Sequence, residues 1–193
     1  MAFKSVVPLI FVCLFSSLSY ATDWDRAAQV AAMDGDWPTM EEALQNGASL
    51  VAPEGERTPL TWAVVMANAD RTFIESLISL GSDINHLAHR GESALWWAAM
   101  HDDSQMIALL LELGANIDIQ DEEDVTPLWI ASVRGNLDAV RALIENGADP
   151  AIKGSFMSSK NYYTPLEAVR DGGPANIANY HEIVRALQSA KEH

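Results

Sequence analysis

The sequence predicts an all-α solenoid of about five helix-turn-helix repeats, joined by β-turns or hairpin loops. Three observations predict it. Glycine recurs at Gly47, Gly81, Gly114 and Gly147 with gaps of 34, 33 and 33 residues, and self-similarity near that period belongs to stacked repeats. Openings with a hydroxyl residue recur at Thr58-Pro59-Leu60, Ser93-Ala94-Leu95, Thr126-Pro127-Leu128 and Thr164-Pro165-Leu166. Between openings and glycines, apolar residues return at helical spacing.

The chain begins with a segment outside this pattern. Met1 to Ala21 carry Lys4, an apolar run from Val6 to Phe15, and small residues at Ser19 and Ala21. That is the layout of a secretory signal peptide, 1–21, cut before Thr22. Pro8 and the serines after Phe15 leave the run short of the ~20 apolar residues a bilayer span needs. The alternative is an uncut anchor, which would make the protein a membrane-tethered scaffold.

Residues 22–193 then read as one domain of repeats, near 24–50, 54–85, 88–119, 121–152 and 160–191. In each regular copy a threonine or serine hydroxyl caps the first helix, and proline suits the first helical position. Ala98-Ala99 and Ala131 narrow one helix face so that neighbours approach closely. The second helices present Phe73, Ile74, Leu77 and Ile78, then Met106, Ile107, Leu110 and Leu111, then Ala139, Val140, Leu143 and Ile144. The periodic glycines supply a left-handed residue after them. The end copies are irregular, as terminal repeats are. The first lacks the Thr-Pro opening, though Asp36 and Pro38 start its second helix. The last is set apart by a longer loop, Lys153 to Tyr163, and holds an insertion at Gly172–Asn176. Its final helix turns Ile183, Val184 and Leu187 inward.

These openings, with Gly81-Ser82-Asp83, Gly114-Ala115-Asn116 and Gly147-Ala148-Asp149 at the helix ends, resemble ankyrin repeats over roughly Trp24 to Lys191. The resemblance implies a non-enzymatic protein-protein interaction module whose partner meets the turn tips and the first-helix ends on the concave side. Carried over by position, that face is Glu54, Arg57, Val65 and Met66, then His89, Arg90, Glu92, Met100 and His101. Glu122, Glu123, Val125, Val133 and Arg134 follow, with Asn161, Tyr163 and Asp171 from the last copy. The chain departs from the family where Asp124 replaces a turn glycine. Trp96 and Trp129 replace a histidine, losing its hydrogen bond to threonine.

Charge narrows the partner. The chain has 12 Lys+Arg against 27 Asp+Glu, net −15; without Lys4, 11 against 27 leaves −16. Nucleic acid and anionic membranes are disfavoured, since both need clustered cations, whereas a basic protein would be steered in. Cys13 is the single cysteine and leaves with the signal, so disulfides, thiolate nucleophiles and cysteine-bound metals are excluded from the mature chain.

Residues able to do chemistry are few. His86 and His89 lack a third ligand for zinc. His101 beside Asp102 and Asp103 lacks a nucleophile and oxyanion donors. The run Asp121-Glu122-Glu123-Asp124 lacks the alternation of a calcium loop; it reads as a solvated turn or an acidic fingertip for a partner's Lys and Arg. The six tryptophans read mostly as core, Trp62 and Trp97 taking a position usually filled by a buried leucine.

The expectation is an exported protein, periplasmic or secreted, with no enzymatic activity and no cofactor, monomeric when free. It binds a protein through its concave face, as an immunity protein or inhibitor for a basic toxin or hydrolase, or as an accessory factor protecting a periplasmic enzyme, for example in oxidative stress.

Overall fold

Ten helices in five pairs build the structure, a computed structural model that describes residues 23–52, 55–66, 70–155, 161–171 and 179–191. The pairs are α1 (Asp23–Asp34) with α2 (Trp37–Gln45), α3 (Pro59–Met66) with α4 (Arg71–Ser79), and α5 (Ala94–Met100) with α6 (Ser104–Glu112). Then come α7 (Pro127–Arg134) with α8 (Leu137–Glu145), and α9 (Pro165–Asp171) with α10 (Tyr180–Ala190). The first helices pack in sequence, α1 on α3, α3 on α5, α5 on α7 and α7 on α9. Behind them α6 meets α8, and α8 meets α10. No strand is present among the described residues. The proposed signal segment, Cys13, Glu54 and the Gly172–Asn176 insertion lie outside them.

Local chemistry explains most of the helix boundaries. The amides of Thr61, Trp96, Trp129 and Glu167 donate to the hydroxyls of Thr58, Ser93, Thr126 and Thr164 at 3.1–3.3 Å. Asp36, Asp70 and Asp103 cap the second helices in the same way, through their carboxylates. Each such bond satisfies an amide with no partner inside the helix, worth about 1 kcal/mol. At the other end, Gly47, Gly81, Gly114 and Gly147 adopt φ of 94°, 98°, 96° and 89°. There the amides of Ala48, Ser82, Ala115 and Ala148 reach back to Ala43, Leu77, Leu110 and Leu143, the paired closure that a left-handed residue allows.

The core is one continuous layer between the helix rows. Ile74, Leu77, Ile107, Leu110, Ala139, Val140 and Leu143 are fully buried, as are Ile183 and Leu187 in the last pair. Ile78, Leu111, Ile144 and Val184 are half-buried at its edge. No described helix is long and apolar enough to cross a membrane.

Polar side chains tie each repeat to the next. The Asp102 carboxylate accepts the Ala139 amide at 2.8 Å. Asn136 donates to the carbonyls of Ala99 and Met100. Asn85 and Asp118 accept the amides of Asn116 and Asp149. Such bonds satisfy main-chain groups that the ends of short helices leave open.

Candidate protein-binding face

The turn tips stack without room to spare. The Glu122 amide donates to the Arg90 carbonyl at 3.0 Å, and Ser155 donates to Glu123 at 2.9 Å. A β-carbon on Gly91 would stand 2.8 Å from the Glu122 nitrogen, so only glycine fits this junction. Further along, Gly154 and Tyr163 exchange both main-chain bonds at 3.0 Å, closing the base of the longer last loop.

Salt bridges run between these tips at the repeat spacing. Arg57 meets Glu92 at 3.4 Å and Arg90 meets Glu123 at 3.3 Å. Burial pushes the Glu92 carboxyl up, and the charges of Arg57 and Arg90 pull it back only in part. Asp121 is raised by burial as well, although its carboxylate accepts the amides of Glu123 and Val125 at 2.8 and 2.9 Å. The acidic run is therefore a built turn with three jobs. Asp121 holds the backbone, Glu123 pairs with Arg90, and Glu122 stands exposed. Asp124 sits in the left-handed region at φ 59°, where the family has glycine and an aspartate is tolerated. Its carboxylate accepts the Tyr162 phenol, which raises that phenol's pKa.

Most of the residues expected on the face reach solvent. Met66 is 45% exposed; His89, Arg90, His101, Glu122, Arg134 and Asn161 are exposed, and Arg57, Val65, Glu92, Met100, Glu123, Val133 and Tyr163 are half-buried. Val125 is a correction. It is 3% exposed, because the Asp121 turn folds it under the tip, and it offers a partner nothing. Glu54 and the Asp171 side chain lie outside the described residues.

The tryptophans divide. Trp96 and Trp129 are buried at 8% and 1%. Trp62 and Trp97 pack against the core but stay half-buried, and the Arg57 guanidinium lies over both rings, 4.9 and 4.7 Å from the centroids. Trp97 also touches the ring of His101 at 5.6 Å. This cluster was missed in the sequence. The signal for it was Arg57 and Glu92, opposite charges in the residue before the helix cap of successive copies.

The other chemical candidates resolve into structure. His86 shares a hydrogen bond with the Glu56 carbonyl at 3.0 Å. Beside His101, Asp102 and Asp103 are both engaged by main-chain amides. Among the described residues no three His, Cys, Asp or Glu side chains gather around a point that could hold a metal.

What remains is a ridge of tips and helix ends suited to contact with another macromolecule. No curated protein matches the chain. Residues 64–154, spanning the end of α3 through the turn after α8, match the family model of ankyrin repeats in three copies. Together with the paired helices and the tip geometry, the match shows that this chain carries ankyrin repeats, which are generally protein-protein interaction modules.

Proposed function

We propose that this protein is a non-enzymatic recognition module that acts outside the cytoplasm and holds a basic protein against its concave face. The observation that carries the reading is the excess of carboxylate along an otherwise pre-built ridge. Glu122 is exposed and without an ion pair among the described residues, whereas Arg57 and Arg90 are already matched by Glu92 and Glu123. A ridge with its cations spent and carboxylates left over attracts a positively charged surface. Met66, Met100 and Val133 supply apolar contact between the charges, in an interface of standard size, on the order of 800 Å² per partner.

The test is retention from an extract of the cell envelope on the immobilised protein starting at Thr22. A basic protein should be retained, released by salt, and lost when Glu122 and Glu123 are both changed to lysine. Retention indifferent to salt and to those changes would end the reading. If the retained protein is an enzyme, its activity in the complex separates an inhibitor from a protector. Export is read from Met1–Ala21, and the N-terminal residue of the protein recovered outside the cytoplasm checks it: Thr22 is expected, and Met1 would mean a tether.

A further inference from the structure

Three of the four buried side-chain nitrogen and oxygen atoms without a hydrogen-bond partner among the described residues fall in one small region. They are Arg57 Nε, Trp96 Nε1 and Trp97 Nε1. Buried donors are nearly always paired, and breaches of that rule concentrate where function demands them. The three residues belong to one cluster, in which Arg57 lies over the rings of Trp62 and Trp97 and Trp96 packs edge-on against Trp97 at 5.3 Å. The equivalents of Trp62 and Trp97 in later repeats, Ile130 and Ala168, are buried; the two indoles instead stand half-open with a guanidinium over them.

That guanidinium is poorly served. Its ion pair with Glu92 is 3.4 Å long, and its Nε has no acceptor. A good arginine–carboxylate pair is shorter and uses two parallel N–H groups. Glu92, for its part, stays incompletely compensated. Arg57 is tied to the main chain just before the helix cap and meets Glu92 through a single N–H at 3.4 Å. An arginine arriving from outside is not so constrained.

We propose that Trp62, Trp97 and Glu92 form a guanidinium-binding site for an arginine side chain of a basic partner, and that Arg57 fills it while no partner is bound. A guanidinium suits the site better than an ammonium, because its flat face lies on indole rings while its edge forks a carboxylate. The exchange swaps one cation for another, so no extra charge enters the site. The released Arg57 emerges among the acidic tips. The proposal rests on the reading of the ridge as a surface for a basic protein, and it gives that surface a central anchor.

The test uses N-acetyl-arginine amide as probe, titrated into the wild-type protein and Arg57→Ala, with the indole N–H resonances of all tryptophans followed by NMR. Arg57→Ala should bind the probe about tenfold more tightly than wild type. Shifts should be confined to Trp62, Trp97 and the adjoining Trp96, and a Trp97→Ala, Arg57→Ala double variant should lose the gain. Equal affinity in wild type and a folded Arg57→Ala, or shifts elsewhere, overturns the proposal. Should Arg57→Ala lose its helical circular dichroism, the wild-type titration decides: displaced Trp62 and Trp97 signals support the site, and unmoved ones reject it. A failed titration beside a retained basic partner removes only this site. A successful one with no basic partner retained leaves the site and removes the partner reading.

Discussion

Trp96 and Trp129 hold the same place in successive repeats and meet different surroundings. The indole N–H of Trp129 donates to the Tyr163 carbonyl at 2.9 Å, while that of Trp96 finds no acceptor among the described residues. The carbonyl that would serve Trp96 by position is that of Val125, the residue before Thr126 as Tyr163 is before Thr164. It accepts the Asp121 amide at 3.1 Å, as the Tyr163 carbonyl accepts the Gly154 amide at 3.0 Å, but only the Tyr163 carbonyl takes an indole N–H as well. Twelve residues separate Gly114 from Thr126, whereas seventeen separate Gly147 from Thr164. In the shorter connection Val125 is paired with Asp121 inside one tight turn; in the longer one Tyr163 is paired with Gly154 across the loop base, and its carbonyl also accepts the indole. Helices repeat faithfully in this chain, and the turns make one repeat unlike the next.

The contrast can be broken most forcefully by removing Trp129. It is among the largest fully buried side chains, and Trp129→Ala deletes its volume together with its hydrogen bond. A loss of about 3–5 kcal/mol in chemical denaturation is expected. A loss below about 1 kcal/mol would mean the neighbouring repeats collapse into the gap, contrary to a close-packed stack.

A finer cut keeps the ring and removes only the N–H. Trp129→Phe should cost about 1–2 kcal/mol through the lost hydrogen bond and some volume. Trp96→Phe removes a donor that has no acceptor, so its volume loss is offset and stability should stay within about 0.5 kcal/mol of wild type. Equal losses in the two variants would show that the Tyr163 carbonyl contributes nothing.

The two sides of the turn also differ in how they titrate. Glu92 and Asp121, in the tips of the third and fourth repeats, are pushed up by burial. Glu112 is held down by Arg71, and Glu167 by the amide and hydroxyl of Thr164. The signs are opposite. A raised carboxyl favours the fold when protonated, and that contribution is lost as pH rises through its raised folded value. A lowered one favours the fold when ionised, and its contribution is lost as pH falls through its lowered folded value. Carboxyl NMR titration should therefore place Glu92 above Glu112 and Glu167, and Asp121 above an ordinary aspartate. A reversed order would mean the tips are wetter than their packing implies.

The helices were legible because capping hydroxyls, apolar spacing and left-handed glycines act within a few residues of chain. Thr126 caps the helix beginning beside it, and Gly147 ends the helix just before it, whatever the rest of the molecule does. The face was legible as a row of positions and much less as a set of contacts. Val125 goes under the tip because Asp121 bonds its amide. Trp62 and Trp97 stay half-open because Arg57 comes from the preceding turn to cover both. Neither outcome follows from one copy of the pattern, since each depends on side chains drawn from two repeats.

The same dependence on small departures from the pattern gives the mildest expected effect. Ser82 follows Gly81 where Ala48, Ala115 and Ala148 follow their glycines. It is buried at 7% exposure, and its hydroxyl has no partner among the described residues. Its amide already closes the helix end by donating to Leu77 at 3.0 Å, so the side chain has no part in the turn. Ser82→Ala deletes a desolvated hydroxyl and keeps every main-chain bond, which should raise stability by about 0.5–1 kcal/mol. A denaturation midpoint that falls instead would mean this hydroxyl has an acceptor in solution, and the second repeat would then carry a polar contact its neighbours lack.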